Sequence, residues 1–135
     1  MYLLFLFIVA LDQISKKLFV SHFQTFSSEL VLVKNTGIAF GFFPHNTSLI
    51  IILNVLLLIS LFVFRKHFFH NNLSHKLSLA FILAGGTGNL IDRIFLGFVV
   101  DFIRVPFIPV FNIADMAINI GLLFLIIGWI KHGKN

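Results

Sequence analysis

SLIIILNVLLLISLFVF, residues 48–64, has Ser48, Asn54 and Ser60 as its only polar side chains. A helix over this stretch rises about 25 Å at 1.5 Å per residue, close to the thickness of a bilayer's hydrocarbon core. So unbroken an apolar run predicts a membrane-spanning helix. Three further apolar segments, 2–20, 77–94 and 112–130, have similar length but are laced with polar groups. Their inner faces are expected to do more than touch lipid.

The whole composition agrees. Apolar residues make up 59% of the 135 residues and charged residues only 11%, against about 45–50% and 25% in soluble domains. So few charges cannot cover a water-facing surface, and most of this surface is expected to face lipid. The expected fold is an all-α polytopic membrane protein, with four transmembrane helices and a small extracytoplasmic β-rich insert. It forms a single domain over 1–135, since the length is too small for two ordinary ones.

The formal charge of +5 does not indicate nucleic acid. Arg65, Lys66 and Lys76 form one patch and Lys131 with Lys134 another, each beside an apolar run. That placement fits membrane lipids with anionic headgroups and the rule that cytoplasmic loops are basic. With both patches inside and an even number of crossings, both termini are expected to be cytoplasmic. Lys16 and Lys17 oppose this, because they then lie toward the outer end of the first helix. Either they snorkel outward or one serves the interior. The first segment lacks a basic stretch before its apolar core and a small-residue cleavage site after it, so it reads as a retained helix rather than a secretory signal.

The chain has no cysteine, which removes disulfide scaffolds, thiolate metal sites and cysteine nucleophiles together. Two inserts fall on the outer side. In 21–47, Glu29 to Lys34 is rich in β-branched and apolar residues and is expected to give a short strand or two. Asn35, Gly37, Gly41 and Pro44 punctuate the remainder of that insert. In 95–111, Gly97, Pro106 and Pro109 argue against a continuous helix. Extended backbone cannot be exposed to lipid, so both inserts must rest at the interface or be covered by protein.

Only Asp12, Glu29, Asp92, Asp101 and Asp115 are acidic. Glu29 reads as a solvated loop residue. The four aspartates fall in or near apolar segments, where an ionised carboxylate costs several kcal/mol unless paired. Asp12 and Lys16 stand four apart, one helical turn along the same face. In GGTGNLIDR, residues 85–93, Asn89 and Asp92 share a face, Arg93 follows, and three glycines permit a close helix neighbour. A packing and network role is expected there, with Asp92 and Arg93 as a charge pair anchoring the outer end of the third long helix. In FNIAD, residues 111–115, Asn112 and Asp115 share the first turn of the last helix, where the helix dipole favours a carboxylate.

VVDFIRVPFIPVFNIAD, residues 99–115, can fold back at its prolines and bring Asp101 against Asp115 at the mouth of the bundle. Two carboxylates in one poorly solvated cleft share a proton, the division of labour that an aspartyl hydrolase uses. Asn112 is placed to orient Asp115. Spacing alone leaves three readings open: a hydrolytic pair, a metal- or proton-coupled transport site, and structural ion pairs. Other catalysts fare poorly. No H-E-x-x-H or G-x-S-x-G occurs, and the histidines form no ligand array. His67, His70 and His75 read as a solvated basic face.

Taken in order, DQISK (12–16), KNTGIAF (34–40), GGTGNLIDR (85–93), VVDF (99–102) and FNIAD (111–115) resemble the motifs of the lipoprotein signal peptidases, or type II signal peptidases, of bacterial inner membranes. The likeness covers nearly the whole chain. It implies an intramembrane aspartyl endopeptidase that removes signal peptides from diacylglyceryl-modified prolipoproteins, cutting before the lipid-modified cysteine. It further implies catalytic Asp101 and Asp115, with Asp12, Lys16, Asn35, Asn89, Asp92, Arg93 and Asn112 in support. No metal or cofactor is implied, and globomycin is the expected inhibitor. The resemblance also implies an active site near the extracytoplasmic surface; nothing demands more than a monomer. Lys34 stands where the family often has Arg, and the stretch between Asp101 and Phe111 is short. The competing expectation is a small transporter or proton-conducting protein built on the same buried acids. A noncatalytic scaffold using the glycine-rich face is a third.

Overall fold

The computed structural model describes residues 1–25, 32–37, 46–68 and 72–132. Four long helices carry the chain: α1 (Tyr2–Thr25), α2 (Thr47–Val63), α4 (Leu73–Leu96) and α5 (Ile113–His132), with a single turn, α3 (Arg65–Phe68), after α2. Short strands β1 (Val33–Asn35), β2 (Val99–Asp101), β3 (Ile103–Val105) and β4 (Ile108–Phe111) lie in the two expected inserts. The strand expectation for residues 29–31, together with Gly41 and Pro44, falls outside the described residues.

Of the long helices, α4 and Ile113–Lys131 of α5 are long and apolar enough to cross a membrane by length and composition alone. The 17-residue α2 is apolar but shorter, and α1 carries Asp12, Lys16 and Lys17. The bundle's surface is unlike a soluble protein's, and part of its interior is polar. Leu6, Phe7, Leu53, Leu56, Leu123 and Ile126 are exposed, whereas Asp12, Lys16, Asn89, Asp92, Asp101 and Asn112 are buried. Apolar side chains facing outward, with the polar groups paired inside, are what a lipid solvent selects.

Helix limits depart from the apolar runs where capping intervenes. The Asn72 side chain accepts from His75 N at 2.8 Å, so α4 starts at Leu73, inside the stretch read as basic loop. His75 is therefore not on a solvated face. It is fully buried, against Gly128 of α5, where any Cβ would strike its ring. At the other end, Gly97 stops α4 in the left-handed conformation, φ 81°, as a helix C-terminus commonly requires.

α4 is the central helix and packs against α1, α2 and α5. Ile8, Ala84 and Ala117 form the apolar core. Contact between α4 and α5 is backbone-close: a Cβ on Gly85 would meet the Ala114 carbonyl oxygen and, at 2.7 Å, Ile118 Cγ1. Backbone cannot step aside cheaply. Gly85→Ala is therefore expected to destabilise the bundle by about 1–3 kcal/mol, read as a lower melting temperature in detergent. An unchanged melting temperature contradicts this packing.

β1 and β2 pair antiparallel, with Val33 opposite Asp101 and Asn35 opposite Val99. The far edge of β2 is closed by side chains: Val100 N donates to Asp92 Oδ2 at 3.1 Å and Val100 O accepts from Asn112 Nδ2 at 3.3 Å. No backbone group of Val100 is left to lipid. β3 and β4 form a hairpin whose register shifts between Ile103 and Val105. The extra residue on the β4 side includes Pro109, which lacks a ladder donor and suits a bulge. Phe102 N donates to Phe111 O at 3.0 Å at the hairpin root, and the Phe102 ring stacks on Phe19 of α1 at 4.2 Å.

Candidate active site

The site forms where β2 ends and α5 begins. Asn112 is the N-cap residue of α5: its Oδ1 accepts from Asp115 N at 2.9 Å, and Asp115 Oδ2 accepts from Asn112 N at 3.2 Å. This is a reciprocal capping box with an aspartate at its third position. A helix-starting device thus orients one carboxylate. The same Asn112 turns its Nδ2 to Asp101 Oδ1 at 2.6 Å. One residue therefore touches both acids, so the hairpin between them returns Asp101 to Asp115's side.

Each carboxylate has a second holder. Asn35 Nδ2 donates to Asp101 Oδ2 at 2.9 Å, while Asn35 Oδ1 accepts from Gly37 N. Asn89 Nδ2 donates to Asp115 Oδ1 at 2.8 Å. Asp101 is only 1% exposed, but Asp115 is part-exposed, so the pair opens on the Asp115 side. Burial pushes the Asp101 carboxyl up to about 6. The Asn35 hydrogen bond opposes that rise, the Asp115 charge adds to it, and the Asn112 hydrogen bond and Lys16 charge oppose it.

Below the pair lies an ionic layer. Lys16 Nζ contacts Asp12 Oδ2 at 2.8 Å and Asp92 Oδ2 at 2.9 Å, and donates to Asn89 Oδ1 at 3.1 Å. All three ammonium protons have acceptors. Asp12 Oδ1 accepts from Ala114 N at 2.9 Å, so α1 supplies a second cap to α5. Gly88 makes room for this; its Cβ would lie 2.6 Å from Asp12 Oδ2.

Asp92 and Arg93 do not form the expected charge pair. Neighbours on a helix point about 100° apart. Asp92 faces Lys16, whereas Arg93 donates through Nη2 to Gly37 O at 2.7 Å and ties the segment after β1 to α4. The expected Asp12–Lys16 pair is present. Of the two alternatives for those cations, Lys16 serves the interior, while Lys17 is exposed. Sequence reasoning misses Gln13, whose Nε2 reaches Asp12 Oδ2, Gly88 O and Asp92 Oδ1 at 3.0–3.2 Å. Its signal in the chain is its place in DQISK, beside Asp12. Among the described residues, no group of three or more His, Cys, Asp or Glu is arranged to hold a metal ion.

This geometry can present a carboxylate pair, sharing one proton, to a molecule entering on the Asp115 side. Asn35→Ala removes a donor that favours ionised Asp101. The basic limb of the pH profile of kcat/KM, expected near pH 6, should then move upward by about one unit. A limb that stays put or moves down contradicts the assignment.

Residues 4–131 match the family model described as signal peptidase (SPase) II. The lipoprotein signal peptidase of Moorella thermoacetica is 38% identical over 131 residues, covering 91% of this chain and 87% of that protein. That of Syntrophomonas wolfei is 38% identical, covering 96% and 92%. A bacterial membrane enzyme solved by the in meso method at 2.3 Å superposes with a TM-score of 0.80 at 27% identity, covering 96% of this chain and 87% of the other.

Proposed function

The chain belongs to the signal peptidase II family, and from that premise we propose that Asp101 and Asp115 are its catalytic pair. As a member, it is a bacterial multi-pass membrane protein and an intramembrane aspartic endopeptidase that removes lipoprotein signal peptides. The carrying observation is Asn112, which hydrogen-bonds both carboxylates at once.

In this reading the ionised member of the pair takes a proton from water as the water attacks the scissile carbonyl. The protonated member hydrogen-bonds the developing oxyanion and then protonates the leaving amine. The pair ends each cycle with its single proton restored. Asn35, Asn89 and Asn112 hold the carboxylate oxygens in place, and Asp12, Lys16 and Asp92 fix the helices that carry them. Arg93 supports the site through Gly37. All the supporting residues act within one peptidase unit, and a monomer suffices.

The substrate we infer is a diacylglyceryl-modified prolipoprotein, cut before the modified cysteine. Its apolar signal helix and acyl chains stay in the bilayer while the scissile bond reaches the outer ends of α4 and α5. Both termini are then on the cytoplasmic side of the inner membrane, with the basic 65–76 stretch. The same buried acids also suggest transport. That alternative gains nothing from the family, and Lys16 closes Asp12 and Asp92 into a compact ion cluster rather than a pathway.

The test is mass spectrometry of purified precursors after incubation with the enzyme in vesicles. Lipid-modified precursor should yield free signal peptide and a product beginning at the modified cysteine. Unmodified precursor should remain intact. Equal cleavage of both, or a cut elsewhere, rejects the assigned specificity.

A further inference from the structure

The β3–β4 hairpin ends in Pro106–Phe107, and two features of that turn are unusual together. Phe107 has φ 66°, a left-handed conformation uncommon outside glycine and rarer still for a bulky side chain. With proline before it, this is the type II pattern, whose third position favours Gly or Asn. The Phe107 side chain is also wholly exposed, with Val105 at 38% and Ile108 at 55%. An aromatic ring is thus held outward at a position where the backbone would favour having none.

The surroundings say what covers it. The hairpin is rooted through β2 and Gly97 to the end of α4, and through Asn112 to the start of α5. Six residues run from Phe107 to Ile113, at most about 20 Å when extended, so the tip cannot stand farther than that from the start of the membrane-spanning α5. Ile94, Phe95 and Leu96 in the last turn of α4 are exposed too, so the lipid-facing surface runs up to the hairpin root. Arg104, next to the tip, is exposed and has no acidic partner among the described residues. Aromatic ring, flanking aliphatics and a nearby cation form the composition that settles at a bilayer interface.

We propose that the Pro106–Phe107 turn is a membrane anchor, seating Phe107 among the outer-leaflet lipids near their glycerol groups and Arg104 against a lipid phosphate. Through the hairpin it holds β2 and Asn112, and hence Asp101, at a fixed height above the bilayer. The proposal rests on the chain spanning a membrane and on the outer placement of the hairpin, not on the roles of the aspartates. Its failure would leave the peptidase reading standing.

Phe107→Trp, in a protein carrying Trp129→Phe, gives a single reporter in vesicles of phosphatidylcholine and phosphatidylglycerol without substrate. The emission should be blue-shifted, quenched by lipids brominated high on the acyl chain, and insensitive to acrylamide. Acrylamide quenching without bromolipid quenching overturns the anchor. So does protection that arises only when lipid-modified precursor is added, or only at high protein density, since the occupant is then substrate or a second copy. Phe107→Gly separates anchoring from folding, because glycine suits the backbone angle. Relieved strain alone would slow amide exchange over residues 103–111 in bilayers; loss of an anchor should speed it several-fold. Slower or unchanged exchange overturns the proposal.

Discussion

Asp101→Asn and Asp115→Asn are each expected to lower cleavage of a lipid-modified precursor by about a thousandfold or more, with the protein still folded and inserted. Asparagine keeps the size of the side chain. It removes the titrating oxygen that, in the proposed mechanism, accepts a proton from water or returns one to the leaving amine. The scaffold around either position survives the change. The α5 cap runs from Asn112 Oδ1 to the Asp115 backbone N–H, which the substitution does not touch, and a lost side-chain hydrogen bond costs about 1 kcal/mol. Rates come from mass spectrometry and folding from circular dichroism in detergent. Turnover by either variant at the wild-type rate removes that residue from the chemistry.

The second large effect is on stability. Among the described residues, Lys16 is the cation bonded to both Asp12 and Asp92, and it is 4% exposed. Lys16→Met keeps the chain length of the side chain but leaves two buried carboxylates without a counter-ion. Breaking a buried ion pair costs about 3–5 kcal/mol, and the damage spreads to the site. Asp12 caps Ala114 N of α5, and Asp92 holds Val100 N beside Asp101. Thermal unfolding in detergent should therefore occur well below the wild-type temperature. Adding Asp92→Asn to Lys16→Met removes one uncompensated charge and should recover part of the loss. Wild-type stability in Lys16→Met contradicts the ionic layer.

Much of this is legible in the chain itself, and the failures share a cause. Local periodicity carries the helices, because an apolar run in lipid leaves few alternatives. It also carries pairs one turn apart, Asp12 with Lys16 and Asn112 with Asp115. Contacts between helices do not write themselves into spacing. Adjacency pairs Asp92 with Arg93, yet the cation Asp92 meets is Lys16 of α1, far away in the chain. Gln13 escapes notice because an amide next to an acid looks ordinary until three acceptors converge on it. His75 reads as a loop residue because the apolar boundary gives no sign of the cap at Asn72. Asn112 is expected to orient Asp115; its second bond, to Asp101, depends on a hairpin with a bulge that no periodicity encodes.

In the proposed mechanism that second bond makes the two acids one device. The most direct test compares single-turnover cleavage by Asp101→Asn, Asp115→Asn and the double variant. Groups that act as a unit lose their function once, so the double variant should cleave within about twofold of the slower single variant. Losses that multiply would mean two acids working independently, and would contradict the shared-proton pair.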